Sequence, residues 1–137
     1  MSRAMVTRDA ATFLSLSEDL LNLGYRVRFR VDGTSMQPTI ENGDAITIAL
    51  VAPADVERGD ILLYRCGRRT TAHRVVDIHR VGNEIAAFIL RGDAKAAFDA
   101  PVAPNQILGK VVAVEHVSTW RAKAARWVRA VRGGVRP

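Results

Sequence analysis

The hydrophobic positions along this chain follow two different periods. In residues 9–23, apolar side chains recur every three or four positions, as at Phe13, Leu16 and Leu20. This spacing puts them on one face of an amphipathic helix. Gly24 follows directly, at a position where helices commonly end. The first organised segment is therefore predicted to be a helix.

The period changes to two immediately afterwards. Between Tyr25 and Val31 every second residue is apolar, and the residues between them are arginines. Such alternation indicates a half-buried strand, and we interpret its arginines as a solvated face rather than a binding stripe. Five further short apolar runs follow, separated by turn signals such as Gly82-Asn83. They occupy residues 45–51, 61–65, 70–79, 84–90 and 108–116.

Many short strands with little helix between them predict a mainly β fold, a distorted antiparallel barrel or sheet. Residues 118–132 differ, because Trp120, Trp127 and Val131 share one helical face and basic residues fill most of the rest. We expect a basic amphipathic helix there, which either lies at a membrane interface or packs on the domain. The predicted organisation is a tail and helix in residues 1–24, a β domain in residues 25–117, and this basic helix and tail in residues 118–137.

Composition narrows the classes of function. The 137 residues fit one domain, and 48% of them are hydrophobic. The formal net charge of +6 attracts anionic partners, but with only 6% aromatic residues a nucleic-acid platform is not expected. The single cysteine, Cys66, excludes an internal disulfide and fits a reducing compartment.

No membrane anchor or secretory signal is recognised in the sequence. No uncharged run approaches the roughly 18 apolar residues that span a bilayer, and the basic N-terminus lacks a following apolar segment. We therefore expect a cytoplasmic protein, with the C-terminal basic helix as the candidate for peripheral membrane contact.

Ser35 is the serine whose surroundings best suit a nucleophile. It lies between a predicted strand and a turn, in Gly33-Thr34-Ser35-Met36-Gln37-Pro38-Thr39, where Gly33 permits close backbone approach and Pro38 stiffens the backbone after the serine. Amides of such a turn can face a developing oxyanion, which makes Gly33, Ser35 and Met36 candidate oxyanion or substrate-binding residues. From spacing alone, however, Ser35 would be interpreted as an ordinary turn serine.

Few residues are available to activate such a serine. His73 lies within a predicted strand, whereas His79 and His116 lie at strand ends. No lysine occurs in residues 1–94, so a serine–lysine pair would need Lys95 or Lys110.

The sequence offers several acids and no metal site. Asp77 shares a strand face with His73, but four strand residues span about 13 Å, too far to hold an imidazole. Asp93 and Asp99 lie in a loop after a strand, where functional groups are often found. The scattered histidines and single cysteine have no metal-ligand spacing, and no cofactor motif is present.

Four sequence blocks, taken in order, resemble the signal peptidase family, which shares its catalytic fold with LexA-like repressors. The blocks are Gly33 to Thr39 followed by Asn42-Gly43-Asp44; Arg58-Gly59-Asp60-Ile61-Leu62-Leu63-Tyr64; His73-Arg74-Val75-Val76; and Leu90-Arg91-Gly92-Asp93 with Asp99 and Ile107-Leu108-Gly109-Lys110-Val111. The resemblance covers residues 27–116. Typical bacterial members and LexA-like proteins have lysine where this chain has His73, so the resemblance is to the serine–histidine subtype of archaea and the endoplasmic reticulum.

This resemblance implies a serine endopeptidase and assigns roles within it. Ser35 would be the nucleophile, with its amide serving the oxyanion, and His73 the general base. Asp99 would be the acid of the triad and Asp93 a supporting acid. The family binds a peptide or precursor protein as an added β-strand and cuts after small residues, and it carries an N-terminal membrane helix where this chain has the helix of residues 9–23.

Two other interpretations of the sequence remain open. The first is a catalytically inactive module on the same fold that holds a peptide or a partner. The second is an anion-binding protein that uses the arginine-rich strand and the C-terminal helix.

Overall fold

A computed structural model describes the backbone of residues 10–117 and the side chains of residues 15–117. Helix α1 spans Ala10–Asn22, and six strands follow it. The strands are β1 (Val27–Arg30), β2 (Ala45–Ala49), β3 (Ile61–Cys66), β4 (Arg69–Val81), β5 (Glu84–Arg91) and β6 (Ile107–Glu115). The predictions of an N-terminal helix and a mainly β fold are thus confirmed. The predicted C-terminal helix lies outside the described residues.

The six strands form one antiparallel sheet in the order β1-β2-β6-β3-β4-β5. It is an open sheet rather than a closed barrel. The hairpins β3–β4 and β4–β5 turn at Gly67 and Gly82, whose φ values of 63° and 62° lie in the left-handed region that favours glycine. Within the described residues, no helix has the length and apolarity needed to cross a bilayer.

The apolar core lies on both faces of β3, which is near the centre of the sheet. Ile61 and Leu63 join one cluster, together with Met36 and residues of α1, β2 and β6. Leu62 and Tyr64 join a second cluster, which includes residues of β4 and β5. Because successive side chains of a strand point to opposite faces, an uninterrupted apolar run buries both. Apolar side chains therefore pack against both faces of the sheet at β3.

Two strand edges of the sheet face the same cavity. Strand β4 pairs with β3 through its first half, but its pairing with β5 begins only at Arg74. Strand β1 is the terminal strand of the sheet. A cavity of about 660 Å³ is lined from one side by residues 29–33 and from the other by residues 68–72. The fold thus creates a groove between the end of β1 and the part of β4 that does not pair with β5.

Candidate active site

The turn that carries Ser35 is held closed at its base by backbone bonds. The amide of Val31 donates to the carbonyl of Asp44 at 2.8 Å, and the amide of Gly43 donates to the carbonyl of Val31 at 2.8 Å. Gly33 has a φ of 121°, and its amide donates to Oδ1 of Asn42 at 2.8 Å. The Gly33 and Asn42-Gly43-Asp44 elements of the first sequence block therefore fix the two ends of one loop.

Asp44 connects this loop to the end of the last strand. It is 1% exposed, and its carboxylate accepts hydrogen bonds at 2.8 Å from the amides of Glu41 and Val117 and from Nδ1 of His116. Burial acts to raise the pKa of Asp44, but these donors outweigh it and hold the pKa below its ordinary value. His116, one of the candidate bases, is thereby paired away from Ser35.

Apolar side chains on either side of the turn anchor its backbone. Met36 and Ile40 are buried in the core beneath the cavity, while Ser35 is half-buried at its rim. Among the described residues, no acceptor pairs with the amide of Ser35 or that of Met36. The amide of Gly33, by contrast, is already committed to Asn42. Of the three candidate oxyanion residues, Ser35 and Met36 therefore keep an available donor.

The structure brings Ser35, His73 and Asp99 together. His73 lies in β4 opposite Leu62 of β3, and it is 3% exposed. Its Nε2 is 2.9 Å from Oγ of Ser35, and its Nδ1 is hydrogen-bonded to Oδ2 of Asp99. Asp99 comes from the loop after β5, where its amide donates to the carbonyl of Leu90 at 2.9 Å. A hydroxyl, an imidazole and a carboxylate thus form one continuous hydrogen-bonded chain.

Tyr64 completes this chain, although the sequence analysis did not single it out as a site residue. Its hydroxyl donates to Oδ2 of Asp99 at 2.7 Å, and its ring meets that of His73 at an angle of 61°. Burial and the Asp99 carboxylate raise the pKa of Tyr64 well above its ordinary value, so the phenol stays protonated and donates. The available signal was the hairpin register, because Tyr64 shares a strand face with Leu62, the residue opposite His73.

Asp93 lies close by, but its carboxylate binds other partners than the imidazole. It accepts hydrogen bonds from Nε and Nη2 of Arg74 at 2.8 and 2.7 Å and from Oγ1 of Thr39 at 2.6 Å. The Arg74 guanidinium holds the pKa of Asp93 below its ordinary value, and the pKa of Arg74 is raised in return. The predicted supporting acid therefore links β4 to the turn of Ser35 and makes no hydrogen bond to His73.

Gly92 permits the close approach of the two halves of the site. It is buried, and a Cβ at this position would lie 2.5 Å from the carbonyl oxygen of Ser35 and 3.0 Å from Nε2 of His73. The same carbonyl accepts a hydrogen bond from the amide of Ala94 at 2.9 Å. Only glycine lets the loop after β5 pack this closely against the nucleophile and the base.

The other candidate bases and acids have partners elsewhere. His79 lies 3.8 Å from Asp77, which pairs with Arg58, and Lys110 lies 3.3 Å from Asp60. Lys95 is different, because it lines a second cavity of about 390 Å³ that also contains Ser35, His73 and Asp99. It makes no ion pair with the described residues.

The arrangement supplies the groups that nucleophilic catalysis by serine requires. The imidazole can take the hydroxyl proton, the carboxylate on the far nitrogen can fix its tautomer, and two amides remain for an oxyanion. Within residues 15–117, no three His, Cys, Asp or Glu side chains gather into a metal-binding group. No protein-family model matches the chain, and a search of curated proteins found no match.

Proposed function

We propose that this chain is a serine endopeptidase of the signal-peptidase-like class, in the serine–histidine subtype, that cuts a peptide or precursor protein after small residues. The observation that carries the proposal is the hydrogen-bonded chain from Ser35 through His73 to Asp99. The position of these three residues also supports the proposal. They lie at the part of β4 that does not pair with β5, beside a groove large enough for an extended peptide.

The reaction can be written from these contacts. Oγ of Ser35 attacks the carbonyl carbon of the substrate while Nε2 of His73 takes its proton, and the amides of Ser35 and Met36 are the donors available to the oxyanion. The imidazolium then gives that proton to the leaving amine, which leaves an ester on Ser35. Water attacks the ester with His73 as base, and the acid product departs as Ser35 regains its proton. Asp99 holds Nδ1 protonated throughout, so Nε2 is the nitrogen that accepts.

The groove accounts for a peptide as the substrate. One wall is the part of β4 before Arg74, which pairs with β3 but not with β5, and an extended peptide in the groove would bond to this edge as an added strand. Partly buried Ala72 and buried Ile40 and Leu63 line the groove next to Ser35. The preference for small residues before the cut rests on the family resemblance.

A fluorophosphonate probe tests the proposal without a known substrate, because it reacts with an activated serine hydroxyl. We expect the wild-type protein to be labelled on Ser35, as located by peptide mass spectrometry. Labelling should be lost in Ser35→Ala and should fall by at least about a hundredfold in His73→Ala. Ser15→Ala and His79→Ala are matched controls, since both residues are exposed and lie outside the site; they should label at the wild-type rate.

Equal labelling of wild type and Ser35→Ala would refute the peptidase proposal. The alternative on the same fold, an inactive peptide-binding module, predicts a different pair of results. The protein would bind extended peptides in the groove, and neither labelling nor turnover would be found.

A further inference from the structure

Two cavities flank Ser35, and one charged residue belongs to both of them. The cavities of about 660 and 390 Å³ share Ser35, Thr71 and Arg69 as lining residues. Because Ser35 lies between the two cavities, a peptide that passes the nucleophile would occupy both. Arg69 is therefore close to substrate residues near the cleaved bond, whichever way the peptide runs.

Basic side chains outnumber acidic ones in each cavity. Among the described residues, the larger cavity is also lined by Arg68 and Arg30, and by one carboxylate, that of Asp32. The smaller cavity is also lined by Lys95, and Asp99 supplies the only carboxylate that the described part of the chain places there. Asp99 is already engaged by His73 and by Tyr64.

Three cations that line the cavities around Ser35 have no carboxylate partner among the described residues, whereas Arg28, Arg65 and Arg74 of the sheet have one. Arg68, Arg69 and Lys95 are exposed, and within residues 15–117 no carboxylate forms an ion pair with any of them. Neighbouring Arg65, by comparison, pairs with Glu18, and Arg74 pairs with Asp93. Within the described residues, Arg68, Arg69 and Lys95 thus present positive charge around Ser35 that no carboxylate neutralises.

We propose that the substrate carries acidic side chains on both sides of the cleaved bond and that Arg69, Arg68 and Lys95 bind them. This inference rests on the proposed function, since it places a peptide across Ser35. The guanidinium of Arg69 can donate two hydrogen bonds to one carboxylate, and the other two cations add longer-range attraction. The acidic residues would flank the small residues expected at the cut itself. Since all three cations are exposed, the preference should weaken as salt screens them.

A randomised peptide library with central alanines provides the test. Cleaved products, identified by mass spectrometry, should be enriched in Asp and Glu on both sides of the cut. For matched peptides with Glu or Gln flanks, we expect kcat/KM to be about tenfold higher with Glu at low salt, and nearly equal at high salt. Arg69→Glu should reverse the preference in favour of Lys flanks.

Arg80→Glu is the matched control, because it changes the net charge equally and lies on the same strand. Arg80 is exposed and lines neither cavity. The control variant should keep the wild-type preference for Glu flanks. If it and Arg69→Glu behave alike, the effect belongs to net charge and the proposal is overturned.

Binding to Ser35→Ala, followed by fluorescence anisotropy, separates this proposal from the peptidase proposal. If no peptide is cut but the Glu peptide binds more tightly than the Gln peptide, and Arg69→Glu abolishes the difference, the peptidase proposal fails and the charge proposal stands. Cleavage or binding that is independent of peptide charge overturns the charge proposal, as does the absence of any binding. Tighter, Arg69-dependent binding of a single-stranded oligonucleotide would also overturn it and make the cleft a nucleic-acid site.

Discussion

Asp99 accepts two hydrogen bonds on the same carboxylate oxygen, one from His73 and one from Tyr64. A carboxylate held by a single donor can rotate about its own bond, whereas a second donor from a buried side chain restricts that rotation. The hydrogen bond from the Tyr64 hydroxyl also stabilises the negative charge of the Asp99 carboxylate. Tyr64 is therefore a positioning residue, which orients the His73 imidazole through Asp99.

Replacing Tyr64 with Phe removes this donor and leaves most of the packing in place. Without it, His73 is the remaining side-chain donor to Oδ2 of Asp99 among the described residues, so the carboxylate can rotate away from Nδ1 of the imidazole. We expect the rate of fluorophosphonate labelling per folded molecule to fall about fivefold, the value of one lost hydrogen bond. The folded fraction should be measured by circular dichroism in the same samples.

Tyr25→Phe is the control for this prediction, since it makes the same chemical change at an exposed side chain. Its labelling rate per folded molecule should match that of the wild type. A Tyr64→Phe variant that labels at the wild-type rate per folded molecule would show that Tyr64 only packs, and the positioning role would be wrong.

At the scale of elements, the periodicity of the sequence predicts where the strands lie but not which distant elements come into contact. The alternation around Phe29 and the turn at Gly67 lead directly to β1 and to the β3–β4 hairpin, because both depend on neighbouring residues. The contact between Ser35 and His73 joins residues 38 positions apart. No local pattern predicts that a loop will fold over the open edge of β4, and only the family resemblance pointed to that pairing.

A substitution at Gly92 tests whether the contact between Ser35 and His73 depends on the close approach of the loop after β5. In Gly92→Ala the new methyl group would lie 2.5 Å from the Ser35 carbonyl oxygen, which must then move away from the base. We expect the labelling rate per folded molecule to fall by about a hundredfold, because a displacement of about 1 Å is enough for such a loss. The folded fraction should be measured by circular dichroism in the same samples.

Gly109→Ala supplies a control with a steric conflict of equal size. A methyl group there would lie 2.5 Å from Cγ2 of Ile48 and 2.6 Å from the carbonyl oxygen of Ala49, in the sheet and away from Ser35. Its melting temperature should fall while its labelling rate per folded molecule stays normal. Equal labelling rates in the two variants would mean that the approach at Gly92 does not position the site.

At the scale of the whole molecule, two aspartates six residues apart in the loop after β5 bind different elements of the fold. Asp99 binds the imidazole, whereas Asp93 joins that loop to Arg74 of β4 and Thr39 of the Ser35 turn. Their sequence contexts do not separate these roles, since both come after the same strand and both are acidic. The difference arises because the loop places Asp99 against Nδ1 of His73 and Asp93 against the guanidinium of Arg74. Only the tertiary structure specifies these two positions.

The ion pair of Asp93 should make the stability of the whole fold depend on pH. Because the pKa of folded Asp93 lies below the ordinary value of about 3.9, its contribution is fully present above that pH and is lost as pH falls through the lower folded value. Asp93→Asn should therefore lower the free energy of unfolding by about 1–2 kcal/mol at pH 7, and urea unfolding should show this deficit shrinking below about pH 4. Asp77→Asn, in an exposed pair with Arg58, should have a much smaller effect. If the loss of unfolding free energy in Asp93→Asn is constant from pH 7 to pH 3, the charge of the Asp93 carboxylate does not stabilise the fold.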